Sequence, residues 1–143
     1  MSISPLKEWG VYMLERQFLG ERVNDGRGSR RYYVGMTNDK EARLAKHRRG
    51  EVLSTRGFMW HRVAWIGFDS RQNCAVFERW MKTGSSREKR VMFIKACKEG
   101  DAIDNVLART MVVSAMLWAS RKAQKNMLQS NMEVLTNPPA GAE

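Results

Sequence analysis

The sequence predicts a fold of the α/β class, more narrowly α+β: a small three-stranded sheet, antiparallel or mixed, flanked by helices and followed by a helical extension. Three observations predict it. Three short runs are rich in β-branched and aromatic residues, the side chains that suit a pleated, half-buried surface. Segments with helix caps and helical apolar spacing stand between and after them. Residues 101–129 then read as one long helix.

The elements follow in order. "WGVYMLE" (9–15) is the first strand and "RYYVGMT" (31–37) the second. The segment between them carries Asn24, Asp25 and several glycines, turn chemistry that predicts a long hairpin connection. "NDKEARLAKHRR" (38–49) opens on an Asn/Asp cap, is acidic early and basic late, and stops at Gly50, as a helix aligned with its own dipole should. "HRVAWIGF" (61–68) is the third strand. Residues 69–82 form a helix capped by Asp69 or Ser70, with Cys74, Phe77 and Met81 on its core face. Residues 85–100 form another, between a serine cap and Gly100, and "TNPPAGAE" closes the chain as a frayed tail.

Composition excludes several classes. A chain of 143 residues with 43% hydrophobic content can bury a core of its own. No apolar run approaches the ~18 residues of a membrane span, and "MSISPLKEWG" lacks a basic-then-apolar leader. A cytoplasmic or nucleoid location is the expectation. Two cysteines, Cys74 and Cys97, are too few for a disulfide scaffold, and with only His47 and His61 beside them they match no zinc spacing. Both are expected as buried thiols. The net charge of +10 lies entirely in residues 1–100, because the remainder carries as many acidic as basic side chains. A basic field of this kind attracts polyanions, and nucleic acid is the expected partner.

The chemistry-bearing residues are few. Arg43 and His47 are four apart and share one helix face, and a guanidinium beside an imidazole suits a phosphate. On spacing alone, both also fit an ordinary solvated helix surface. Tyr12 and Tyr33 lie on neighbouring strands, beside Gly10 and Gly35. Glycine in a strand marks a close approach of backbone or ligand, so room for a substrate next to two phenols is expected there. Glu78 is the only acidic residue within its helix; it can hold a divalent cation with water completing the shell, or pair with Lys82 one turn on.

Taken together, "GVY" (10–12), "YVG" (33–35), Arg43, His47 and Glu78 resemble the GIY-YIG nuclease superfamily, in its small stand-alone members. The resemblance covers residues 8–95, with Val11 and Val34 standing for the two motif isoleucines. It implies a nuclease-like domain over 1–100 and hydrolysis of DNA phosphodiesters with one Mg²⁺ or Mn²⁺; residues 101–143, beyond the resemblance, read as a helical extension with a flexible tail. By position, Tyr12 and Tyr33 are the motif tyrosines, Arg43 the catalytic arginine, His47 the residue often found four positions later, and Glu78 the metal ligand. Tyr12 would take the proton of the attacking water, with His47 as acceptor or orienter, and Arg43 and the metal would favour its phenolate.

The resemblance also implies contacts from Arg30, Arg31, Lys40, Lys46, Arg48, Arg49, Lys82 and Lys89 to DNA, duplex or branched. The connection between the motif tyrosines, 20 residues long, is about twice that of compact members, and its arginines Arg16, Arg22, Arg27, Arg30 and Arg31 could join those contacts. The family's downstream asparagine has no counterpart between Glu78 and Asn105. The apolar stretch 111–120 is expected to be buried on several sides, packed on the core, with a homodimer contact as the second choice. Rival readings are a DNA-binding protein of nuclease descent that no longer cuts, and a protein-interaction domain acting through the C-terminal helix.

Overall fold

The computed structural model describes residues 8–17, 31–98 and 105–136. The long connection, with Arg22, Arg27 and Arg30, lies outside the described residues, as do Gly100 and the tail. The elements are β1 (Trp9–Arg16), β2 (Tyr32–Thr37), α1 (Lys40–Arg48), a short 3-10 turn (Leu53–Thr55), β3 (Trp60–Phe68), α2 (Arg71–Met81), α3 (Ser86–Lys98) and α4 (Val106–Thr136). The sheet is antiparallel throughout, in the order β2-β1-β3.

β1 is the central strand, and its alternation sorts the whole domain. Val11 and Met13 face one side, where Val34, Ala64, Ile66 and Phe68 join Cys74, Phe77 and Met81 of α2, Phe93 and Ala96 of α3, and Ala108, Met111 and Ala115 of α4. Tyr12 and Leu14 face the other, with Leu44 of α1, Trp60, Tyr33, Phe58 and Trp65. A register shift between Met13 and Leu14 skips one residue of β3. That bulge turns Val63 and Ala64 both toward the larger core, and lets Arg62 reach Glu41 of α1 at 3.1 Å on the other side.

The caps are local. Asp39 Oδ1 accepts from Ala42 N at 3.1 Å, and Ser70, not Asp69, caps α2 by accepting from Asn73 N at 3.1 Å. Asn105 Oδ1 accepts from Leu107 N at 2.7 Å and caps α4. That helix therefore starts at Val106 and runs to Thr136, seven residues past the expected end. It packs on α2 and α3. Its burial is one-sided: Ala108, Met111 and Ala115 are buried, while Val113 and Leu117 are exposed, so the expectation of burial on several sides does not hold.

Cys74 is buried and its thiol is pushed up to about 12 by that burial; Cys97 is half-buried and donates to the Trp65 carbonyl at 3.5 Å. Among the described residues no helix is long and apolar enough to cross a membrane.

Candidate functional site

The α1 face of the sheet holds a chain of polar side chains set in an apolar surround. Tyr12 comes from the middle of β1, Arg43 and His47 from successive turns of α1, and Thr55 from the 3-10 turn that follows. Arg43 Nε donates to Tyr12 Oη at 3.1 Å. Tyr12 Oη lies 2.8 Å from His47 Nε2, and His47 Nδ1 lies 2.8 Å from Thr55 Oγ1. Tyr12, His47 and Thr55 are all almost wholly buried.

The protons can be assigned from the ends inward. Arg43 can only donate, so Tyr12 Oη accepts from it and keeps its own proton to give. The Thr55 hydroxyl donates to the Val52 carbonyl at 3.4 Å, which leaves its oxygen to accept from His47 Nδ1–H. His47 Nε2 is then bare and accepts the Tyr12 proton. The chain is polarised in one direction, from guanidinium through phenol and imidazole to a backbone carbonyl. Trp60 fixes its far end by donating Nε1–H to the Thr55 carbonyl at 2.9 Å.

Electrostatics keep every member of the chain except Arg43 neutral. Burial pushes the Tyr12 phenol above its usual range, outweighing the hydrogen bond from Arg43. Arg43 does favour the phenolate, as expected, but desolvation of the charged form is the larger effect. Burial, assisted by the Arg43 charge, lowers His47 to about 4. The imidazole is therefore neutral at ordinary pH, with Nε2 bare.

The glycines have another purpose than the one expected. Gly35 is paired directly with Tyr12 across the strands, and a Cβ on Gly35 would come within 2.5 Å of Tyr12 Oη. The Tyr12 ring itself fills that space and leaves none for substrate. Trp65 lies over Gly10 in the same way. The glycines let large rings lie flat on the sheet, and Gly35 sets the position of the phenol.

Tyr33 joins this network to open space. Its ring stands 6.1 Å from that of Tyr12 and 4.9 Å from that of His47, and its hydroxyl interacts with Tyr12 and Arg43. It also lines a cleft of about 440 Å³ beside β2, whose other walls include Ser54, Lys82, Ser86 and Arg90. Glu78 meets this cleft through Lys82, whose Nζ donates to Glu78 Oε1 at 2.7 Å. The i,i+4 pair is thus formed. Among the described residues no three acidic, His or Cys side chains converge. A cation here would have one half-buried carboxylate and take its remaining ligands from water and substrate, a habit of Mg²⁺; it would have to displace the Lys82 ammonium.

The remaining cations divide. Lys40, Lys46, Arg48 and Arg49 are exposed on or beside α1, Lys40 over the Trp65 ring at 5.2 Å and Arg49 paired with Glu51 at 3.0 Å. Arg31 pairs with Glu15 at 3.6 Å. Arg16 is buried against the Phe58 ring at 4.4 Å, which takes it out of the expected loop surface. Lys89 donates to the carbonyls of Trp80 (2.9 Å) and Thr83 (2.7 Å) and to Thr83 Oγ1 (3.2 Å). Its three protons are taken up in closing the C-terminus of α2. Sequence reasoning missed Thr55 and Arg90. A lone threonine in a turn gives no signal, and Arg90 becomes visible only when β2 and α3 are brought together.

Comparison of the chain with protein-family models, with curated proteins and with solved structures yields no match.

Proposed function

We propose that the chain is a metal-dependent DNA endonuclease of the GIY-YIG type. The observation that carries this reading is the polarised chain of Arg43, Tyr12, His47 and Thr55, joined by Tyr33 to a cleft with cationic walls. The motif order in the sequence and the excess of +10 support it. Arg43 would neutralise charge developing on the phosphoryl group. Tyr12 would accept a proton from the attacking water at Oη while handing its own to His47 Nε2, so that no free phenolate is needed. Thr55 would hold the imidazole in the tautomer that leaves Nε2 bare. Tyr33, Lys82 and Arg90 would orient the phosphodiester from the cleft. A divalent cation held by Glu78 would supply Lewis-acid stabilisation of the phosphate and the leaving oxygen.

Nicking of supercoiled plasmid and cutting of linear and branched duplexes with Mg²⁺ or Mn²⁺ tests this. Wild type should cut. Glu78→Ala and Arg43→Ala should lose cutting, and Glu78→Ala should still bind duplex. A wild type that binds duplex with both ions yet leaves every substrate intact would make it a silent DNA-binding protein of nuclease descent. Full activity in Glu78→Ala would remove the metal assignment.

A further inference from the structure

The polar chain leaves α4 unexplained. Its core face is used up by Ala108, Met111 and Ala115, yet the opposite face is also apolar. Its exposed large apolar side chains fall within an arc of about 160° at 100° per residue, centred opposite the core face. Four of them keep a seven-residue register: Val106 (75% exposed), Val113 (57%), Met127 (66%) and Val134 (62%), with Ser120 at the centre of the series. Leu117 and Leu128 flank the row. From residue 120 to residue 136 every side chain is exposed. An isolated helical segment of that length is marginal in water, so an apolar stripe along it calls for a partner.

The register identifies the partner. The row is symmetric about Ser120: Val113 and Met127 lie seven residues to either side, Val106 and Val134 fourteen. An antiparallel second copy with its two-fold axis at Ser120 therefore sets Met127 against Val113 and Val134 against Val106, twice over, and closes on itself. The near half of α4 also offers a receiving surface that the far half lacks. A hollow of about 260 Å³ lies beside Val112 and Val113, lined by Ile66, Gly67 and Phe68 of β3. The far half of the partner helix, whose side chains are all exposed, would supply the apolar side chains that fill it. A seven-residue repeat is the spacing at which two helices stay in contact by supercoiling.

We infer that α4 is the seam of a symmetric antiparallel homodimer. The seam is about 46 Å long and roughly 10 Å wide, so about 900–1,000 Å² is covered in total, at the lower limit of specific interfaces. Gln124 and Asn131 interrupt it, which weakens it and favours one register. A concentration-dependent dimer is the expected species. The inference does not rest on nuclease activity.

The test is the mass of the full chain by sedimentation across the micromolar range, with Met127→Asp and Val134→Asp. Both positions are exposed, so the variants should fold, which circular dichroism checks. Wild type should pass from monomer to dimer, and both variants should stay monomeric. A monomeric wild type throughout, or dimers in both variants, overturns the inference. Cross-linking fixes the direction: Ser120→Cys should form a covalent dimer on oxidation, and Val134→Cys alone should not. Efficient cross-linking of Val134→Cys without that of Ser120→Cys contradicts the antiparallel axis.

Discussion

Two faces of one strand do opposite work. On β1, Val11 and Met13 point into a core made of hydrocarbon, where Phe77 contacts the rings of Phe68, Trp80 and Phe93 at 5.3–5.7 Å. Tyr12, between them in sequence, points the other way and is equally buried, but every polar atom it carries is engaged. The first face stabilises by area and close packing. The second accepts the cost of desolvating a phenol and an imidazole, and fixes both in one orientation in return. A single strand thus separates the hydrocarbon core from the buried polar chain.

The sharpest break of this contrast is on the apolar face. Phe77→Ala should cost about 3–5 kcal/mol of stability, read as a lowered urea midpoint, with the specific activity of the fraction still folded little changed. On the other face Tyr12→Phe keeps the ring over Gly35 and removes only the hydroxyl. It should lower the cleavage rate by about 10²–10³-fold while costing about 1–2 kcal/mol of stability. Equal activity losses from both variants at matched folded fraction would erase the distinction.

A third effect is smaller and depends on pH. His47 is lowered to about 4 in the folded chain from an ordinary value of 6.5. Between those values the unfolded chain binds the proton and the folded chain does not, so stability falls as pH drops from 6.5 toward 4. The loss should reach about 2–3 kcal/mol, and His47→Gln should flatten that part of the curve. Denaturant melts at steps of pH measure it, and an unchanged slope in the variant would place the titration elsewhere. The smallest effect should come from the exposed pair of Arg49 and Glu51: Arg49→Ala should leave the urea midpoint unchanged within the error of the melt.

The strands were legible in the sequence because side chains alternate along them, and strand ends fell within a residue of their place. The caps at Asp39 and Ser70 were legible because a cap is a local device. What lay across the sheet was not. "GVY" and "YVG" announce glycine beside tyrosine, but only pairing shows that Gly35 sits opposite Tyr12 and is covered by its ring. The effect of Arg43 on Tyr12 was legible because Arg43 is visible in the sequence; the larger opposing effect of burial was not. The stretch 111–120 read as buried on several sides because an apolar side chain looks the same in sequence whether it meets a core or solvent.

The central claim is that a neutral Tyr12 passes a proton to His47. Single-turnover cleavage of a labelled duplex with saturating Mg²⁺, followed from pH 4 to pH 9, tests it most directly. The account predicts a rate that is flat between pH 6 and 9 and falls toward pH 4 as His47 becomes protonated. A rate that climbs about tenfold per pH unit through pH 9, as a phenolate mechanism requires, would contradict it.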